Sequence, residues 1–289
     1  MARRNADTLI RQPRRPTHIN QARRKTVLGF CVLLALFVAA GTVLAVRYAH
    51  YRAAREEYAA LQAMQADATA PPETEAPTPT APPDVTATPA PSAAPTAKPF
   101  YSAKVARLQK DNRDAVGWLN IVGTDMQYPI VQGTDNEYYM THTFNKKKNA
   151  SGAIFVDFWN APDFSNFNTV IYGHNMQDGS MFAGLREYGK QKFFDEHSII
   201  EITLLNRQLR YRVFAAYTVQ REDVDFRGQG CTTETQRSDF IKAARRRSTD
   251  IQSNCIVSRH DQLLTLVTCT GGTHPWFWVV HAVLVEVEQ

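Results

Sequence analysis

At 289 residues and 44% hydrophobic, the chain carries material for one sizeable core plus appendages, and its formal net charge is +5. The excess is local: Arg3, Arg4, Arg11, Arg14, Arg15, Arg23, Arg24 and Lys25 face only Asp7 in residues 1–25, so the remainder is near neutral or slightly acidic. A short basic flank with no interleaved aromatic residues and no binding fold around it excludes nucleic acid as the partner behind that charge.

Residues 26–46, TVLGFCVLLALFVAAGTVLAV, hold no charge over 21 positions, enough helix to cross a ~30 Å hydrocarbon layer. Ala45 offers a cleavage point, but the apolar run is full length and continues into Arg47 and Tyr48, which reads as an uncleaved anchor. By the positive-inside rule, residues 1–25 form a cytoplasmic tail and everything after Arg47 lies outside. Residues 47–70 are rich in Ala, Glu, Arg and Leu without a breaker, predicting a helical stalk. Residues 71–99 contain ten of the fifteen prolines among Thr, Ala and Ser, a linker composition that cannot bury a core.

Residues 100–289 have the composition of one folded domain. AKVARLQKDNRDAVGWLNI predicts a short helix leading into a strand. Seven apolar, β-branched runs follow: MQYPIVQ, GAIFVDF, NTVIYG, SIIEITL, LRYRVFAAYTV, LLTLVTC and WFWVVHAVLVEVE. Their length and spacing predict an all-β barrel or sandwich with added helices. One of those helices is expected over Ser238–Ser248, with Ser238 as its cap.

Two strand ends carry candidate chemistry. TLVTC ends on Cys269, between Thr268 and Thr270, and VIYGHNMQDGSMF places His174 before a polar turn. A thiol and an imidazole on separate strands are the minimum for nucleophilic thiol catalysis. The plainer readings are a small buried cysteine and a histidine capping a strand. Cys31 lies in the apolar run, and Cys231, Cys255 and Cys269 are an odd number outside it, so one cannot pair within the chain. A Cys231–Cys255 disulfide and a bridge to Cys269 stay open. A zinc site drawn from Cys255, His260, Cys269 and His274 lacks the tight ligand spacing of structural zinc, so no metal and no cofactor is expected. The order His174 before Cys269 is the reverse of papain-like peptidases.

TLVTC resembles the T-L-x-T-C signature of the sortase family, and VIYGHNM with the downstream GSMF resembles the histidine segment of class B sortases. The likeness extends through GWLNI, YPIVQ, DNEYYM and SGAIFVD, over about Ser102–Val287. It implies a closed eight-stranded β-barrel with an N-terminal helical lead-in and a helix before the cysteine strand. It also implies a Gram-positive cell-surface enzyme of the cysteine-peptidase class, joining sorting-motif proteins to a peptidoglycan precursor or a pilin amine. Cys269 would be the nucleophile and His174 its acid/base partner. Asn136 and Met140 match a groove-lining loop, and Thr268 adjoins the nucleophile. The family's arginine on the last strand falls, by alignment, on Phe277. The alternative is therefore a catalytically weak or inactive module that binds sorting-motif tails.

Overall fold

The structure is a computed structural model that describes residues 18–68, 100–249, 251–269 and 276–289. The linker 71–99 and the first part of the basic tail lie outside the described residues. The chain divides into two compact units, Met1–Ala49 and His50–Gln289.

Helix α1 (His18–Ala68) runs through the apolar segment, and every side chain from Lys25 to His50 is exposed. It is long and apolar enough to cross a membrane. Within the second unit, the segment predicted as a stalk lies against the domain. Ala54, Tyr58 and Leu61 are buried on one face, at the spacing by which a helix presents a stripe to a neighbour.

Helix α2 (Ala103–Asp111) starts where the Ser102 hydroxyl accepts the Val105 N–H, and it buries Val105 and Leu108. Eight strands follow: β1 (Ala115–Ile121), β2 (Gln127–Val131), β3 (Ile154–Val156), β4 (Asn168–His174), β5 (Ile199–Thr203), β6 (Gln208–Gln220), β7 (Leu263–Cys269) and β8 (Trp276–Glu288). They close into a barrel in the order β1-β2-β3-β4-β7-β8-β6-β5, as the all-β reading and the resemblance imply. The short helix α3 (Gln191–Glu196) lies between β4 and β5.

Helix α4 (Glu234–Arg247) corrects the expected start. The N-cap is Thr233, whose hydroxyl accepts from Gln236 N–H while the Gln236 side chain returns to the cap backbone. That reciprocal pair satisfies two otherwise orphaned amides and outcompetes Ser238, which sits inside the helix. Ser248 marks the C-terminal end. His281 of β8 is buried between two partners. The Tyr217 hydroxyl lies 2.8 Å from Nε2 and Thr265 Oγ1 lies 2.8 Å from Nδ1, with Thr265 donating on to Asn168 Oδ1. Burial holds this imidazole neutral, with its pKa pushed down to about 3.

Candidate active site

Strands β4 and β7 are parallel neighbours, paired from Asn168↔Leu263 to His174↔Cys269. Parallel pairing in a barrel needs a long crossover between the two strands, here supplied by β5, β6 and α4. Its consequence is that His174 and Cys269, far apart in sequence, are the last rung of one ladder. Adjacent strands lie about 4.8 Å apart, and register partners share a face.

Gly173 lets β4 end as it does. A Cβ there would meet Ile154 and, at 2.7 Å, Phe182. His174 is buried, and its Nε2 lies 2.6 Å from the Met140 carbonyl. A carbonyl can only accept, so Nε2 carries the proton, and in the neutral ring Nδ1 keeps its lone pair. The strand-end carbonyl of His174 accepts the Phe182 N–H at 2.9 Å.

The carbonyl that fixes this tautomer belongs to a short 3-10 turn, Tyr138–Met140, whose middle residue is anchored on both sides. The Tyr139 hydroxyl donates to Asp114 Oδ2 at 2.6 Å and accepts from Asn112 Nδ2 at 3.0 Å. Burial alone would raise Asp114, but the hydrogen bonds from Lys146 and Tyr139 and the Lys146 charge outweigh it and hold the carboxyl below its ordinary value. Gly152, at φ +56°, passes beneath the same site. A Cβ there would meet Tyr139 O at 2.6 Å, Met140 O at 2.8 Å and His174 Cδ2 at 3.0 Å.

The other expected residues fall at different distances from this rung. Thr268 is buried, and its hydroxyl accepts the Trp278 N–H at 3.0 Å, tying β7 to β8. The Asn136 side chain accepts the Phe158 N–H at 3.0 Å. Phe158 lies in the turn that follows β3, so Asn136 is tied to that turn and is not brought to the His174–Cys269 rung. The Tyr172 hydroxyl donates to the fully buried Asp157 at 2.8 Å, with the Arg227 guanidinium 5.9 Å from the Tyr172 ring.

The β7–β8 register is recorded up to Val267↔Val279. Continued two residues, it puts Phe277 across from Cys269, so the ladder reads His174, Cys269, Phe277 and then Val219 of β6. Phe277 is half-buried, edge-on to Phe226 at 6.5 Å, and the Arg221 guanidinium lies 5.8 Å from its ring. Arg221 is exposed and forms no salt bridge among the described residues, whereas Arg227 approaches Asp157 at 4.0 Å. Cys231 and Cys255 are free thiols, each pushed up by burial, so the disulfide left open between them is not formed.

The backbone carbonyl of Met140, the Gly152 cradle and the Tyr172–Asp157 pair escape a reading of side-chain types. The sequence signals near them were the DNEYYM, SGAIFVD and VIYGHNM segments.

Residues 119–285 match the profile of the family described as the sortase domain. The chain is 38% identical over 162 residues to sortase B of Listeria monocytogenes, and 35% identical over 162 residues to sortase B of Staphylococcus aureus. Each alignment covers 56% of this chain, but only 65% and 66% of those relatives' own lengths. Among solved structures, a Staphylococcus aureus sortase B–substrate complex superposes with a TM-score of 0.61 at 32% identity, over 64% of this chain and 86% of that one. Sortase B of Clostridium perfringens superposes with a TM-score of 0.59 at 28% identity, over 63% of this chain and 99% of that one.

Proposed function

The chain belongs to the sortase family, and from that premise we propose that it is a membrane-anchored cysteine transpeptidase with Cys269 as nucleophile and His174 as acid and base. The observation that carries the reading is the shared last rung of β4 and β7, which makes the two residues neighbours at one strand end. The contact of Nε2 with the Met140 carbonyl supports the reading, because it fixes the orientation of the ring beside Cys269.

In the proposed reaction the Cys269 thiolate attacks the carbonyl carbon of the Thr in a C-terminal sorting motif. The peptide C–N bond breaks, and the imidazolium of His174 gives its proton to the departing amine. The Thr carbonyl stays on sulfur as a thioester. An incoming amine, from a peptidoglycan precursor or a pilin, then attacks that carbonyl and surrenders a proton to His174, and the C–S bond breaks to regenerate the thiolate. A thioester conserves the energy of the cleaved amide, so an amine can outcompete water for it.

The substrate side follows the spacing of the groove. An extended motif of four or five residues spans about 13–17 Å. Met140 and Thr268 lie at the reacting end, Asn136 at the turn that follows β3. Residues 1–25 would be cytoplasmic and the barrel extracellular, with helix α1 supplying the anchor.

A second reading, a sorting-motif binder with weak or no transfer activity, is favoured by Phe277 alone, since an aromatic ring offers no N–H to an oxyanion. The deciding experiment incubates the protein with a library of sorting-motif peptides and searches by mass spectrometry for an acyl adduct on Cys269. A mass increase on the Cys269 peptide, lost in Cys269→Ala, is expected. Binding without any adduct would overturn catalysis and leave the second reading.

A further inference from the structure

The Tyr58 side chain comes from helix α1, the helix whose first part is the apolar segment, yet its hydroxyl bonds Gly152, the residue that packs against the His174 ring. Its hydroxyl donates to the Gly152 carbonyl at 2.7 Å and accepts the Phe144 N–H at 3.3 Å. Gly152 is the residue whose Cα leaves no room for a side chain against the His174 ring and the Met140 carbonyl. The same helix turn adds Glu57, whose carboxylate accepts from Thr143 Oγ1 at 3.1 Å and Asn145 N–H at 3.0 Å. About two turns earlier, the His50 carbonyl accepts from Asn149 Nδ2 at 2.8 Å. The whole 143–152 segment, which closes the turn carrying Met140, is thus fastened to α1.

A second arm reaches His174 from its other side. The Tyr58 ring packs edge-on to Tyr128 at 5.6 Å, and the Tyr128 hydroxyl accepts the Met181 N–H at 2.8 Å. Met181 holds a positive φ of 57°, and the next amide, Phe182 N–H, bonds the His174 carbonyl. Tyr58 is buried, so neither arm is loosened by competing water.

We infer that Tyr58 is a positioning residue for His174, and that the helix emerging from the anchor is a working part of the active site and not only a tether. The inference deepens the proposed thiol-transfer reading and rests on it for its catalytic meaning. Without the hydroxyl, the Gly152 carbonyl and the Phe144 amide lose a shared partner, the 139–152 segment can shift, and the Met140 carbonyl no longer fixes the imidazole.

The test uses the full chain in detergent micelles, with Tyr58→Phe against Gln62→Ala. Gln62 also joins α1 to the barrel, through Nε2 to the Gln127 carbonyl at 2.8 Å, but does so on β2, outside the 139–152 segment that carries the Met140 carbonyl. Two readouts are taken: transfer kinetics with a sorting-motif peptide, and the pH dependence of Cys269 alkylation by iodoacetamide followed on its own peptide by mass spectrometry. Tyr58→Phe should lower kcat roughly fivefold to tenfold, the factor equivalent to one net hydrogen bond, with KM little changed. It should also raise the alkylation midpoint by about half a pH unit or more, because a looser imidazolium supports the thiolate less. Gln62→Ala should lower Tm while leaving the alkylation profile at its wild-type position. An unmoved midpoint in Tyr58→Phe, or an equal shift in Gln62→Ala, overturns the inference. Failure of the wild type to form any acyl adduct overturns the transfer reading instead, and the alkylation profile still decides the role of Tyr58.

Discussion

Replacing Phe277 by Arg tests the electrostatics of the last rung. By register the new side chain would start opposite Cys269, where its guanidinium can reach an oxyanion formed on the acyl carbon. One such donor contributes about 2.7–4 kcal/mol to the transition state, a rate factor of about a hundred to a thousand. Two costs oppose it. The Arg221 guanidinium lies 5.8 Å from the present ring, and two like charges at ~6 Å in a water-like dielectric repel by roughly 0.7 kcal/mol, less in salt. The edge-on contact with Phe226 is also lost, at about 0.5–1.5 kcal/mol of folding stability. The stability loss is felt in Tm and not in kcat, and the repulsion removes about a factor of three, so the rate gain should survive at about thirtyfold to three-hundredfold. Because the interaction forms with the oxyanion, the gain should appear in kcat, with peptide affinity nearly unchanged. Initial rates of transfer to an amine acceptor, with peptide Kd measured on a Cys269→Ala background, give both quantities. An unchanged rate in Phe277→Arg together with collapse in Arg221→Ala would refute the reasoning and make Arg221 the cation that already serves the oxyanion.

Gly152→Ala should lower transfer at least tenfold and reduce Tm, since the new Cβ would sit 2.8 Å from Met140 O and 3.0 Å from His174 Cδ2 at a positive φ; steady-state rates and thermal melts check both. Thr268→Val removes the acceptor of the Trp278 N–H and should cost about 1 kcal/mol in urea unfolding. His281 gives the chain an acid-sensitive core. Its folded pKa of about 3 lies below the ordinary 6.5, so as pH falls through 6.5 the unfolded chain binds a proton that the folded one refuses, and stability drops until pH reaches about 3. The slope is about 1.4 kcal/mol per pH unit, and His281→Gln should lose that one-proton slope between pH 5 and 6 in urea titrations while being less stable at pH 7. Protease added to intact protoplasts should remove the barrel, and survival of the domain until lysis would reverse the proposed topology.

The strands were legible because each is a β-branched run bounded by turn residues, and the seven runs given spans all appear within two residues of them. Barrel closure was not legible from periodicity, which left sandwich and barrel equal, and came from the resemblance. Helix α4 was displaced by a capping box that a search for Ser at the start of an apolar stripe passes over. Residues 47–70 read as a stalk because Tyr58 and Leu61 are two apolar positions among many alanines, and only the long-range partners Gly152, Phe144 and Tyr128 reveal that they face a core. Cys269 and His174 were legible as residue types at strand ends. Their adjacency was not, because parallel register is a tertiary choice that no local pattern encodes.

That parallel register also explains why the site needs its supports. A rung at the end of two strands has a ladder on one side only, and among the described residues the β4–β7 pairing ends at His174. The polypeptide replaces the missing rungs with other bonds: Phe182 N–H on the His174 carbonyl, the Met140 carbonyl on Nε2, Tyr139 on Asp114, and Trp278 N–H on Thr268. Each comes from a different element, and each fixes one degree of freedom that a central rung would have fixed by pairing alone. A strand end supported in this way keeps its backbone fixed without continued pairing, which is the constraint that the proposed nucleophile and acid/base partner require.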